Sequence, residues 1–261
     1  MKKLLFILLC FSILTFGSSA RIIEVAPAGA WGVLGISGGG AVAVGDGPVQ
    51  VQKKSATNGA ATIHQVVADS TPTEGNLMIL VISSDTAVST YTGWTLDGTA
   101  LAVDWVGVAI FYQVAGAGES ATMELELSSS GAACLAYFEY SGMSASPFDV
   151  AAGATNEAQA ADTDNNSHTI STGTTASTAQ NDEILVAVVG YNDSTFNADF
   201  MASWDNSFVE EYDLDSGAAL MAVAIRTVSS TGTYIATATS EGVGFGDGHQ
   251  CGVIAAFKVG S

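Results

Sequence analysis

Positive charge is scarce in this chain. Lys and Arg together number 7 against 26 Asp and Glu in 261 residues, a formal charge of −19. Duplex DNA and RNA are gripped at their phosphates by Lys and Arg, so a nucleic-acid partner is excluded. Cysteine (3), histidine (3) and proline (4) are also sparse. His64, His168 and His249 stand at unrelated spacings, and no H-x-x-x-H or Cys/His set for zinc exists. No Gly-Lys-Ser/Thr follows a glycine-rich run, which removes the P-loop. After residue 20 there is no long apolar run, so no membrane span is expected once the N-terminal segment is removed. Nor does any stretch there carry a convincing 3.6-residue apolar period.

What remains is material for strands. Hydrophobic residues make up 48% and charged residues 13%, enough to bury a core, and 29 glycines suit a turn-rich all-β fold. Met123, Leu125 and Leu127 alternate with Glu124 and Glu126, the period of a strand with one wet face. Leu77–Ile82 and Ile184–Val189 are continuous apolar runs, too short for helices and rich in β-branched residues, which predicts central strands.

The N-terminus reads as an export signal. Met1-Lys2-Lys3 is basic, Leu4 to Phe16 is apolar, and Gly17-Ser18-Ser19-Ala20 supplies small residues for cleavage after Ala20. The expected compartment is therefore extracellular or the cell surface. Residues 21–50 differ from the rest, with an apolar, glycine-rich stretch from Trp31 to Val44 and a breaker at Gly45-Asp46-Gly47-Pro48. That segment reads as a leader, as an edge strand of its own sandwich, or as a strand donated to a neighbour's sheet edge.

The body falls into two similar halves, about 55–145 and 168–260. Glu74-Gly75-Asn76 before the first apolar run matches Asn181-Asp182-Glu183 before the second. Trp94 and Trp204 follow, then Val108–Val114 and Met221–Val228, then closing strands in which Phe138 matches Phe257. The fold expected is a jelly-roll or concanavalin-like β-sandwich built from two pseudo-repeats, with two tandem immunoglobulin-like domains as the alternative. Pro147 to Ser167 reads as a polar loop between the halves. Cys10 leaves with the signal, so Cys134 and Cys251 remain. They are a candidate disulfide if their strands are adjacent, and otherwise two buried thiols.

Candidate chemistry is thin. Gly35-Ile36-Ser37-Gly38-Gly39 has the G-x-S-x-G spacing, but the glycine-rich sequence after it is a poor helix, so it is not a nucleophile elbow. Gly242 to Gly248, with glycine at every second position, reads as a hairpin tip. Asp162, Asp164 and Asn166 offer oxygens at positions 1, 3 and 5 of a calcium loop. Position 6 is Ser167 and position 12 is Gly173, which excludes an EF-hand and leaves an irregular Ca2+ site or a solvated acidic loop. No other cofactor is expected. Trp94, Trp204 and Tyr212 are candidate rings for stacking on sugars, or plugs of the core.

Glu211, Asp213 and Asp215 would share one face of a regular strand. They resemble the E-x-D-x-E strand of laminarinase- and lichenase-type glycosidases, which implies Glu211 as nucleophile, Asp213 as orienting group and Asp215 as a shortened acid/base. A solvated acidic face is the preferred reading. A wider resemblance rests on Glu74-Gly75-Asn76-Leu77 and on Ala136 to Gly142 (ending Glu139-Tyr140-Ser141-Gly142), followed by Pro147-Phe148-Asp149. These residues are similar to an uncharacterised family of bacterial and phage surface β-sandwiches with a GN-L strand and an A…E-Y-S-G strand-turn. It spans about residues 55–259, implies an extracellular or virion-surface sandwich, and supplies no catalytic residues.

The functional expectation is a non-enzymatic exported protein, structural or adhesive, assembling with copies of itself through strand addition. A lectin-like module binding surface polysaccharide, with calcium, ranks second, and a glycosidase third. Fold class alone does not separate them.

Overall fold

The computed structural model describes residues 47–86, 88, 94–96, 101–103, 106–156, 169–191, 201–240 and 250–260. The expected signal at residues 1–20, the glycine-rich stretch up to residue 46, Asp162–Asn166, His168, Gly242–Gly248 and His249 lie outside them. The protein is all-β, with no helix among the described residues. The first half contributes β1 (Val49–Val67), β2 (Leu77–Ser84), short β3 (Thr95–Leu96) and β4 (Leu101–Val103), β5 (Val106–Val114) and β6 (Thr122–Ser141). The second contributes β7 (Met143–Asn156), β8 (Thr169–Thr174), β9 (Glu183–Tyr191), β10 (Met201–Trp204), β11 (Val209–Asp215), β12 (Leu220–Val228), β13 (Ile235–Ser240) and β14 (Gln250–Val259).

The two apolar runs are β2 and β9, and each is buried at every position. Such strands need a layer on both faces. One antiparallel sheet runs β1-β6-β2-β5, with β3 and β4 both on the far side of β5; a second runs β7-β14-β9-β12-β11. Their facing surfaces supply ten residues each to one apolar core, including Leu77, Ile110 and Phe138 against Ile184, Val223 and Phe257. On the outer face of the second sheet lies a small sheet, β8-β13-β10, closing over Leu185, Ala187 and Ala222. In the first half, the far ends of β1 and β6 do this work. Past bulges between Asn58 and Ile63 the β1–β6 pair folds over, and Val66, Met123, Leu125 and Leu127 cover Met78, Leu80, Ile82 and Phe111. Glu124 and Glu126 stay in water, as their alternation requires.

The ladders of the halves match rung for rung. Leu77 pairs with Val114 and Tyr140; Ile184 pairs with Thr227 and Phe257. Two residues before each stands a left-handed residue, Gly75 (φ 86°) and Asp182 (φ 58°), at the same turn. This register equates Phe257 with Tyr140, not with Phe138. The sequence match was two residues out, a slip that preserves the face because side chains alternate with period two.

The expected loop from Pro147 begins as strand instead. β7 runs through Pro147 to Asn156 on β14, and as an edge strand it tolerates a proline.

Candidate functional site

β1 ends its sheet. Its 19 residues pair with β6 alone, so among the described residues the other edge has no partner. Of the six large hydrophobic side chains exposed among the described residues, four are on this strand: Val49 (52%), Val51 (45%), Ile63 (49%) and Val67 (57%). An open edge with apolar side chains is a template for a further strand. The two lysines in its middle are occupied. Lys54 pairs with Asp69 at 2.7 Å, while Lys53 reaches across to Glu211 of the second sheet and lies 5.4 Å above the Tyr212 ring.

A groove of about 540 Å³ opens beside the start of β1, between Pro48, Gln50 and Tyr140 on one side and Val209, Glu211 and Ile225–Thr227 on the other. Gln50 Nε2 donates to the Tyr140 hydroxyl at 3.2 Å along its floor. A corresponding groove of about 410 Å³ lies between Tyr112–Val114 and Ala145–Phe148. There Phe148 takes the place of Gln50, stacked on Tyr112 with ring centroids 5.5 Å apart. The two clefts thus occupy matching ends of the central core, one polar and one aromatic.

Of the carboxylates proposed from sequence, Asp213 and Asp215 share the outer face of β11, and Glu211 is not on it. The ladder of β11 shifts between Glu210 and Tyr212, which leaves Glu211 at a bulge. Glu211 turns to Lys53, whereas Asp213 pairs with Ala222 on the outer side. Asp215 accepts from the Gly217 amide at 2.6 Å in the following turn. The rings are also dispersed. Trp94 packs on the outer core of the first half and Trp204 on that of the second, where its indole donates to Glu210 at 2.9 Å. Tyr212 packs against the central core, with its hydroxyl pKa raised by burial and then by Glu211.

Cys134 and Cys251 are free, buried thiols. They stand on the same rung of their sheets, opposite Ser83 and Gly190, and Cys134 donates to the Ala219 carbonyl at 3.1 Å. His64 is buried, its Nε2 hydrogen-bonded to the Ala61 carbonyl at 3.0 Å. Among the described residues no three His, Cys, Asp or Glu side chains converge as metal ligands, and no helix is long and apolar enough to cross a membrane.

The residues behind the wider resemblance meet in space. Glu139 is buried and accepts from the Asn76 amide, from Thr73 N–H at 2.9 Å and from the Gln52 amide. Burial alone raises a carboxyl pKa; the Gln52, Thr73 and Asn76 donors more than offset this and hold it below its ordinary range. No family model matches the chain, and no curated protein or solved structure shows significant similarity to it.

Neither the Lys53–Glu211 pair nor the groove was legible from sequence: the pair is 158 positions apart, and the groove gathers residues from Pro48 to Thr227. The open edge left one trace: two adjacent lysines inside a strand, a common device of edge strands.

Proposed function

We propose that this protein is an exported, non-enzymatic surface protein with a structural or adhesive role, and that its copies assemble by adding a strand to the open edge of β1. The carrying observation is that edge: 19 residues paired on one side, holding most of the exposed large hydrophobic side chains among the described residues. The apolar stretch from Trp31 to Val44 immediately precedes β1 in the chain and has the composition of a donor strand. Backbone hydrogen bonds would supply the affinity, and the exposed valines and Ile63 the side-chain contacts. The formal charge of −19 opposes close approach of copies, so assembly should strengthen with salt.

Light scattering and negative-stain imaging of chains starting at residues 21 and 47 test this. The longer chain should form ordered polymers and the shorter should remain dispersed. Equal assembly by the chain that begins at residue 47 would rule out the donated strand.

A further inference from the structure

The two halves tie down the loop before their central apolar strand in parallel ways, with one chemical exchange. In the first half Glu139 holds the loop 68–76, accepting from Thr73 N–H and from the Asn76 amide. In the second half Asp149 of β7 holds the loop 175–182, accepting from Ala179 N–H at 2.6 Å. Asn76 and Glu183 are matching positions, each just after the left-handed residue and just before Leu77 or Ile184. The first half therefore places an amide donor where the second places a carboxyl.

Glu183 is completely buried, and neither of its oxygens has a hydrogen-bond partner among the described residues. The Asp149 carboxyl stands at hydrogen-bonding range. Two carboxylates there would repel, and a buried acceptor without a donor is costly. The surroundings are few. β14 presents Lys258, the ladder partner of Glu183. β12 presents Val228, its other ladder partner, and Arg226, which is committed to the Asn206 carbonyl and the Tyr234 ring. The loop contributes Asp182 and the Gln180 backbone N–H, while the Gln180 side chain donates to the Asp182 and Val259 carbonyls. Burial, then Asp149, pushes the Glu183 carboxyl up to about 7, with the Gln180 backbone N–H and Lys258 offsetting only part.

We propose that Glu183 and Asp149 form a proton-operated latch. With one proton between them, the Glu183 O–H donates to the Asp149 carboxylate and ties edge strand β7 to the loop 175–182. With the proton gone, the two carboxylates repel, and strand and loop loosen. A carboxyl whose pKa rises on folding gives its stabilisation in full below the ordinary glutamate value. That stabilisation is lost as pH rises through about 7.

Amide hydrogen exchange of the full chain between about pH 5 and about pH 8.5, corrected for intrinsic rates, reads the latch locally. Protection of the Ala179 amide should fall about tenfold across that range, while Thr73, its counterpart on Glu139, stays level. Glu183→Gln restores the amide found at Asn76 and should make Ala179 protection independent of pH. Asp149→Asn gives Glu183 a donor in place of a competing carboxylate and should do the same, so it decides the matter if the first variant does not fold. Level protection at Ala179 in the parent chain, an equal fall at Thr73, or a fall that survives in the folded variants would overturn the latch.

Discussion

Ser83 and Gly190 occupy the same rung of their two sheets and meet each other across the central core. Ser83 pairs with Cys134 and Gly190 with Cys251, and a Cβ on Gly190 would lie 2.6 Å from Ser83 Oγ and 2.3 Å from Val108 Cγ1. The sheets approach this closely because one of the two matched positions carries no side chain.

Gly190→Ala should therefore push the sheets apart. Overpacking of a tight core costs about 1–3 kcal/mol, read as a lower urea midpoint with an unchanged slope. Val108→Ala in the same chain removes the nearest atom and should recover part of the loss. Full stability of Gly190→Ala alone would mean that the sheets are not held at this spacing.

Both cysteines should be inert in the native state. Burial pushes each thiol up to about 12, so almost no thiolate forms near neutral pH. Mass spectrometry after maleimide treatment at pH 8 should find neither labelled in the folded chain and both labelled in denaturant without reductant. Absence of label in denaturant would show a disulfide instead.

Glu139 should hold the first half together most firmly above the carboxylate range. Its pKa is lowered on folding, so its stabilisation is present above the ordinary glutamate value and lost as pH falls below it. Glu139→Ala strands the Thr73, Asn76 and Gln52 donors and should cost about 2–4 kcal/mol at neutral pH. The difference from the parent chain should shrink as pH falls below the ordinary glutamate range and the parent carboxylate takes up its proton. A difference that stays constant through acid titration would contradict the charged acceptor.

The apolar runs of β2 and β9 were readable because period and length depend on neighbours along the chain. The alternation of Met123, Leu125 and Leu127 was readable for the same reason. β7 was not, since its alanines, glycine and polar residues look like a loop until β14 supplies a ladder. The bulge at Glu211 escaped too. It inserts one residue without changing composition, and across it the alternation no longer places Glu211 on the face of Asp213 and Asp215. Asn76 and Glu139 could be named as motif residues, but their contact is a property of the ladder that joins β2 to β6.

β6 lies between β1 and β2, and β14 lies between β7 and β9. In each half the strand made last fills the gap between strands made earlier, and Val259 finds Met143 across more than a hundred residues. Closure must therefore wait for the end of each half to leave the ribosome, and ladders of such long range form slowly. Until then β1 and β2 in the first half, and β7 and β9 in the second, have no ladder to join them, so each half stays in two pieces.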